Sequence, residues 1–247
     1  MKGGFLLEWF QKLQHDFYRN FIEDDRWKYL ADGLVVTLQL TFCAVIIGIL
    51  IGVLVAMIRS TYDKNFAEMR PGFGRVVLKI LNAISKVYLT IIRGTPVVVQ
   101  LLIMYYVIMA SSNNKLLVGM IAFGVNSGAY VAEIVRSGIM SIDNGQFEAG
   151  RSLGFNYVQT MRYIIIPQAF KNVLPTLANE FIVLLKETSV AGYIAMQDLT
   201  KGGDIIRGVT FSAFMPLFAV ALIYLIMVLF FTFLVNKLER RLRNSER

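Results

Sequence analysis

The sequence predicts an all-α protein, a polytopic bundle of about five membrane-spanning helices. Apolar stretches of twenty or more residues recur along the chain, and that length crosses the ~30 Å hydrocarbon core of a bilayer as a helix. Charged residues make up only 17% of the 247 positions, against 56% hydrophobic ones, and they collect between the apolar stretches. The basic residues are also shared unequally between alternate connections.

The expected spans are Leu34–Ile58, Val87–Met109, Leu116–Met140, Gln168–Tyr193 and Phe211–Val235. The first, third and fifth are plainly apolar. Arg93-Gly94-Thr95-Pro96 interrupts the second, and Asn172, Asn179, Glu180, Lys186 and Glu187 load the fourth with polar groups. The segment Arg59–Lys79 holds Arg59, Lys64, Arg70, Arg75 and Lys79 against Asp63 and Glu68. The tail beyond Val235 holds Lys237, Arg240, Arg241, Arg243 and Arg247 against Glu239 and Glu246. The opposite connections offer only Lys115, Lys201 and Arg207. Positive charge marks the cytoplasmic side, so the Arg59–Lys79 loop and the C-terminus are expected in the cytoplasm and the N-terminus outside.

Residues 1–33 precede the first span. Phe5, Leu6, Trp9, Phe10, Leu13, Phe17, Phe21 and Trp27 alternate with charges at roughly helical spacing. They read as an amphipathic helix lying in the outer interface, or as a plain lead-in to the span. The remainder, residues 34–247, is the membrane-spanning part.

Several function classes fall away. The net charge of +8 is explained by basic helix ends, so nucleic acid is not an expected partner. Cys43 stands alone and can form no internal disulfide, and His15 has no metal-ligand neighbours at a useful spacing, so no metal site is expected. No continuous apolar signal-peptide core precedes the first span. The nearest approach to a phosphate-binding loop, Gly203 to Gly208, is followed by Val209-Thr210 where Lys-Ser/Thr is needed. No Ser/His or Cys/His set suggests an enzyme. Gly48-x-x-x-Gly52 and Gly124-x-x-x-Gly128 read as close helix packing.

The connection Ser141–Pro167 is the most informative stretch. Asp143 can cap a helix, with Gln146 three residues on in a capping-box relation. That helix runs through Phe147-Glu148-Ala149 and stops at Gly154, a natural left-handed terminus. Asn156, with Gln159 three residues on, offers a second cap, and Ile166 before Pro167 is biased out of helical geometry. Two short helices about a glycine make a rigid cytoplasmic knob.

Glu148-Ala149-Gly150, then Gly154, then Ile164, Ile166 and Pro167 resemble the EAA loop of ABC importer permeases, with Gly150 and Ile166 where alanine and leucine are common. Arg93-Gly94-Thr95-Pro96 with Gln100, the run Gly128–Ile139 and Leu185-Lys186-Glu187-Thr188-Ser189 are similar to the polar amino-acid uptake branch, which more often has Asp at the Glu187 position. The resemblance covers about residues 30–240. It implies a type I importer fold in the plasma membrane, with Glu148, Ala149, Gly150, Gly154 and Pro167 coupling the chain to a cytoplasmic ABC ATPase dimer. It also implies that this partner, not this chain, binds ATP and Mg²⁺. An extracytoplasmic solute-binding protein would deliver an amino acid, and a second permease, identical or related, would complete the pore. The alternative is an ion-coupled secondary transporter, which would work alone.

An ionisable group at the centre of a spanning helix costs about 3 kcal/mol unless it meets a protein interior or a wet path. Asn126, Tyr130 and Glu133 share one face of the third span, where Glu133 reads as a structural partner of Arg136 or Arg93, or as a substrate contact. The break at Gly94-Thr95-Pro96 frees backbone groups that only a polar cavity tolerates. Arg93, Thr95, Gln100, Asn126, Tyr130, Lys186, Glu187, Thr188 and Ser189 are therefore the candidate path residues. Glu187 is the candidate carboxylate for a substrate ammonium, and Lys186–Glu187 is otherwise a helix-holding arrangement.

Overall fold

The computed structural model describes residues 2–244, with side chains from 8 to 242. Lys2, Phe5 and Leu6 of the N-terminal segment and Arg243, Glu246 and Arg247 of the tail thus lie outside the described side chains. Among the described residues the chain is helical throughout, with no strand. The helices are α1 (Lys2–Phe17), α2 (Trp27–Asn65), α3 (Phe73–Gly94), α4 (Val97–Ile103), α5 (Lys115–Met140), α6 (Asn144–Ser152), α7 (Tyr157–Thr160), α8 (Ile166–Glu187), α9 (Leu199–Thr210) and α10 (Phe214–Asn244).

By length and composition α2, α5 and α10 can each cross a membrane, and α3 with the bent continuation Val97–Ile108 makes a fourth span if the pair is counted as one. The bend between them is 110°, at the Thr95-Pro96 step, where proline cannot continue the hydrogen-bonded ladder. The fifth expected span, α8, carries Lys171, Glu180, Lys186 and Glu187 and is not apolar enough by composition.

α2 and α5 run parallel and form the centre of the bundle. Their two small-residue motifs meet: a methyl group at Gly48 would lie 2.9 Å from Ser127 Oγ, and one at Gly52 only 2.5 Å from Val131 Cγ1. The backbones approach because nothing projects there. Around this pair, Leu40, Ala44, Leu101, Phe123, Leu184 and Ile194 form one core, and Leu30, Leu185, Leu199, Ile206 and Val220 a second toward the far end. A third, of Ile139, Ile142, Phe147, Met161, Ile165 and Ala169, seats α6.

Three expectations need correction. The Arg59–Lys79 stretch is mostly helix: α2 continues to Asn65 and α3 begins at Phe73, well before Val87, leaving a turn that contains Pro71-Gly72. Asp143 caps α6 by accepting from Gly145 N (2.6 Å), while Gln146 turns to accept from Gln168 Nε2 (3.3 Å), so no reciprocal box forms there. Ile166 is helical (φ −59°, ψ −44°), and α7 runs through a π-helical turn, Met161–Ile165, straight into α8. Pro167 comes just after that π-helical turn, which widens the ladder where proline has no N–H to give. The knob is thus one short helix, α6, fixed to the base of a helix that continues from Tyr157 to Glu187.

Candidate functional site: a short helix beneath a polar cavity

The short helix α6, which carries the residues expected to couple to an ATPase, buries Phe147 and Gly150, three residues apart, and leaves Glu148, Ala149 and Leu153 exposed. Gly150 lies against Thr160 and Ile164, so α6 rests directly on the α7 segment. The chain then reverses at Gly154, whose φ of +79° belongs to the left-handed region. Asn156 and Gln159 form the expected capping box, with Gln159 N donating to Asn156 Oδ1 and Asn156 N to Gln159 Oε1, both at 2.9 Å. Side chains from the end of α2 and from the turn that follows it clamp this end. Lys64 Nζ donates to Asn144 Oδ1 (2.6 Å) and sits 4.9 Å from the centre of the Phe147 ring. Arg151 pairs with Glu68 at 2.8 Å. Burial pushes the Tyr157 hydroxyl's pKa up, opposed by its hydrogen bond to Thr61. Leu153, Val158 and Tyr163 stay largely exposed and give the knob an apolar outer surface.

Above α6 a cavity of about 440 Å³ opens between α5 and α8, lined by Arg93, Tyr130, Glu133, Ser137, Ser141, Asn172, Thr176 and Glu180, among others. Along α5 it spans Tyr130 to Ser141, about 16 Å at 1.5 Å per residue. Arg93 reaches back from the end of α3 to Glu133 (3.6 Å) and over the Tyr130 ring (5.9 Å). Glu133 also meets Arg136 (3.4 Å), which holds Asp63 of α2 at 2.9 Å. Both structural pairs expected for Glu133 are therefore present, in one chain of charges joining α3, α5 and α2. Glu180 accepts from Ser127 Oγ at 3.1 Å, and no ion pair is recorded for it among the described residues.

The other candidates fall elsewhere. Gln100 Nε2 lies 2.7 Å from Ile92 O, 3.0 Å from Thr95 O and 2.9 Å from Thr95 Oγ1, and Gln100 Oε1 accepts from Asn126 Nδ2 at 3.0 Å. Gln100, Thr95 and Asn126 thus form a latch that satisfies the carbonyls freed by the α3–α4 break. Lys186 is exposed, Glu187 half-buried, and Thr188 is buried with its hydroxyl donating to Leu185 O. Ser189 lines a separate cavity of about 270 Å³ at the far end, with Tyr193, Thr200, Lys201 and Asp204. Lys201 and Arg207 hold the Asp204 carboxyl below the usual carboxylate range.

Arg93 and Tyr130 are thus the candidates that the structure brings into the cavity. Asn172 and Glu180 were noted in the sequence as polar groups of the fourth span but not as path residues, and Thr176 was not singled out. They were visible there as a polar stripe at i, i+4 and i+8 of one helix. Among the described residues no cluster of His, Cys, Asp and Glu is arranged to hold a metal ion.

Comparison with known proteins agrees with this architecture. The model of the family described as "Binding-protein-dependent transport system inner membrane component" matches residues 72–244. The glutamine transport system permease protein GlnP of Escherichia coli (strain K12) is 34% identical over 218 residues, covering 87% of this chain and 93% of that protein. The arginine transport system permease protein ArtQ of Bacillus subtilis (strain 168) is 32% identical over 221 residues, 88% of this chain and 94% of that protein. A chain from a crystal structure of an amino acid ABC transporter with histidines superposes with a TM-score of 0.77 at 41% identity, over 90% of this chain and 98% of that one. The MetNI methionine ABC transporter, at 20% identity and a TM-score of 0.73, shares the fold. These are transport permeases and not enzymes, and none of them favours an ion-coupled carrier. A short exposed helix seated on a continuous one, a polar cavity beside it and a family match over most of the sequence converge: the chain belongs to the inner membrane components of binding-protein-dependent transport systems, the multi-pass permease subunits of ABC importers.

Proposed function

We propose that this chain supplies the passage and the lever for a polar amino acid, delivered by an extracytoplasmic binding protein and driven by an ATPase dimer that docks on α6. The observation that carries the reading is the continuity of one cavity wall with the knob. Glu180, Thr176 and Asn172 stand on α8, whose backbone runs without a loop into α7, and α7 carries α6 through a turn locked by Gly154 and Asn156. Force applied to α6 therefore reaches the wall that faces the substrate. ATP and Mg²⁺ belong to the ATPase, and a second permease, a copy or a relative, completes the passage.

The cavity chemistry suits a zwitterion. Glu180 offers a carboxylate to the substrate ammonium, and Arg93 offers a planar donor set to the substrate carboxylate. If Arg93 turns from Glu133 toward substrate, Arg136 still compensates the half-exposed Glu133, so its carboxylate keeps a cation. Tyr130, Ser137, Thr176 and Asn172 supply neutral hydrogen-bonding groups around these two charges.

The test is uptake by the complete importer in proteoliposomes. Losing one charge-assisted hydrogen bond worth about 1.5–3 kcal/mol corresponds to a tenfold or greater fall, expected for Glu180→Gln with assembly intact. Glu187→Gln, outside the cavity, is expected to change uptake far less. The reverse order of effects would move the substrate site to the far end of α8. Transport by the chain alone down an ion gradient would end the ABC reading.

A further inference from the structure

The N-terminal helix takes no part in the passage or the lever. It nevertheless has a fixed position. Its C-terminal end is pinned to the start of the last span: Arg19 Nη2 donates to Thr210 O (2.7 Å), Thr210 Oγ1 to Asn20 Oδ1 (2.9 Å) and Asn20 Nδ2 to Ser212 Oγ (3.4 Å). Asn20 is fully buried in this contact. Thr210 and Ser212 immediately precede the apolar run that begins at Phe214, so the pin sits at the height where hydrocarbon begins. Exposed aromatic side chains ring the same end of the molecule: Trp27 and Tyr29 at the head of α2, Tyr193 after α8, and Phe211 and Phe214 at the head of α10. Such belts mark a membrane–water boundary.

From the pin, α1 extends as a helix with two unlike faces. Trp9, Phe10, Leu13 and Phe17 fall at i, i+1, i+4 and i+8 on one side, while Glu8, Gln11, Lys12 and His15 fall on the other and Gln14 and Asp16 lie at the borders. Trp9, Phe10 and Phe17 are 53%, 70% and 52% exposed and Leu13 between them is half-buried, so the body of the protein leaves most of that face uncovered. Across residues 8–19, Lys12 and Arg19 balance Glu8 and Asp16. A helix at this height with an uncovered aromatic face and no net charge has apolar burial as its means of attachment, not attraction to a charged partner.

We propose that α1 lies along the lipid–water boundary opposite the coupling helix, with Trp9, Phe10, Leu13 and Phe17 facing the acyl chains, as a surface anchor tied to the α9–α10 junction. Naming that leaflet the outer one rests on the orientation in the proposed function, but the anchoring itself does not. The experiment uses the complete importer in liposomes of phosphatidylethanolamine and phosphatidylglycerol. Cys43 is replaced by serine, and a nitroxide is attached to the permease before assembly at Phe10→Cys or at His15→Cys. Power-saturation measurements then compare collisions with oxygen, which partitions into lipid, and with a water-soluble nickel chelate. The expected result is oxygen in several-fold excess at position 10 and the chelate in excess at position 15. Chelate excess at both positions would overturn the proposal by placing α1 in water. A position-10 label shielded from both reagents would equally overturn it, because a protein partner would then occupy the face. Both labelled positions are exposed, so neither variant disturbs packing.

Discussion

Replacing Gly154 isolates the mechanical role of the turn beneath α6. A Cβ at this position would meet no atom within 4 Å, so substitution brings no steric clash and acts through the backbone alone. With φ at +79°, an L residue bears a cost of about 1–2 kcal/mol. The turn is held by local bonds: Gly154 N to Arg151 O at 2.9 Å, Phe155 N to Gly150 O at 3.0 Å, and the Asn156–Gln159 box. Each is worth about 0.5–1.5 kcal/mol, so the strain matches one or two of them and α6 loosens from its seat. That strain converts to roughly a 5- to 30-fold shift in the population of the docked geometry. Gly154→Ala should therefore lower amino-acid uptake per ATP hydrolysed, Gly154→Val more, and Gly154→Asn least, since asparagine tolerates the left-handed region. The assay measures uptake and phosphate release in the same proteoliposomes. Wild-type coupling in Gly154→Val would refute the reasoning, because a β-branched residue cannot adopt this turn without the strain.

The charge chain and the central helix pair give further expectations. Arg136→Leu leaves Asp63 without its cation; with both side chains about a quarter exposed, the loss should be about 1–3 kcal/mol of stability, read as a lowered Tm in detergent, and Asp63→Leu in the same chain should restore much of it. Gly52→Ala puts a methyl group 2.5 Å from Val131 Cγ1 and 2.9 Å from Ala132 N, an overpacking cost of about 1–3 kcal/mol; an unchanged Tm would mean that α2 and α5 lie farther apart. The Asp204 pKa is lower folded than unfolded, through its bonds to Lys201 and then Arg207, so its stabilisation is complete above the unfolded value of about 3.9 and fades as pH falls through the folded one. Hydrogen exchange in α9 should thus show no Asp204-dependent change between pH 8 and pH 5, which comparison with Asp204→Asn would reveal.

What the sequence made legible was chemistry settled within a few residues. Asn156 and Gln159 cap a helix by side-chain bonds that their spacing alone dictates, and Gly154 supplies the one backbone geometry that reverses the chain there. The Ile166–Pro167 step shows the limit of local rules. The bias before proline is real, yet a π-helical turn at Met161–Ile165 relieves it and lets α7 run into α8. Arg59, Lys64, Arg75 and Lys79 read as a loop because charge and loop usually go together, whereas α2 and α3 extend past the apolar region and carry those charges on their ends. The cavity was hidden for a different reason. Glu133 and Glu180 lie 47 positions apart, and only the packing of α5 against α8 brings them to one space. Gln100 was assigned to the path because it is polar within a span; its amide is occupied by the carbonyls of the broken helix.

The central claim is that α6 and α8 move as one body, carrying force from the ATPase to the cavity wall. Paired spin labels at Ser152 and Asn179, both exposed, would measure it in the complete importer, with a label at Ile226 on α10 as reference. Between the nucleotide-free and ATP-trapped states, the Ser152–Asn179 distance should stay constant while the distance from Asn179 to Ile226 changes. A Ser152–Asn179 distance that changes while α8 stays fixed against α10 would contradict the account.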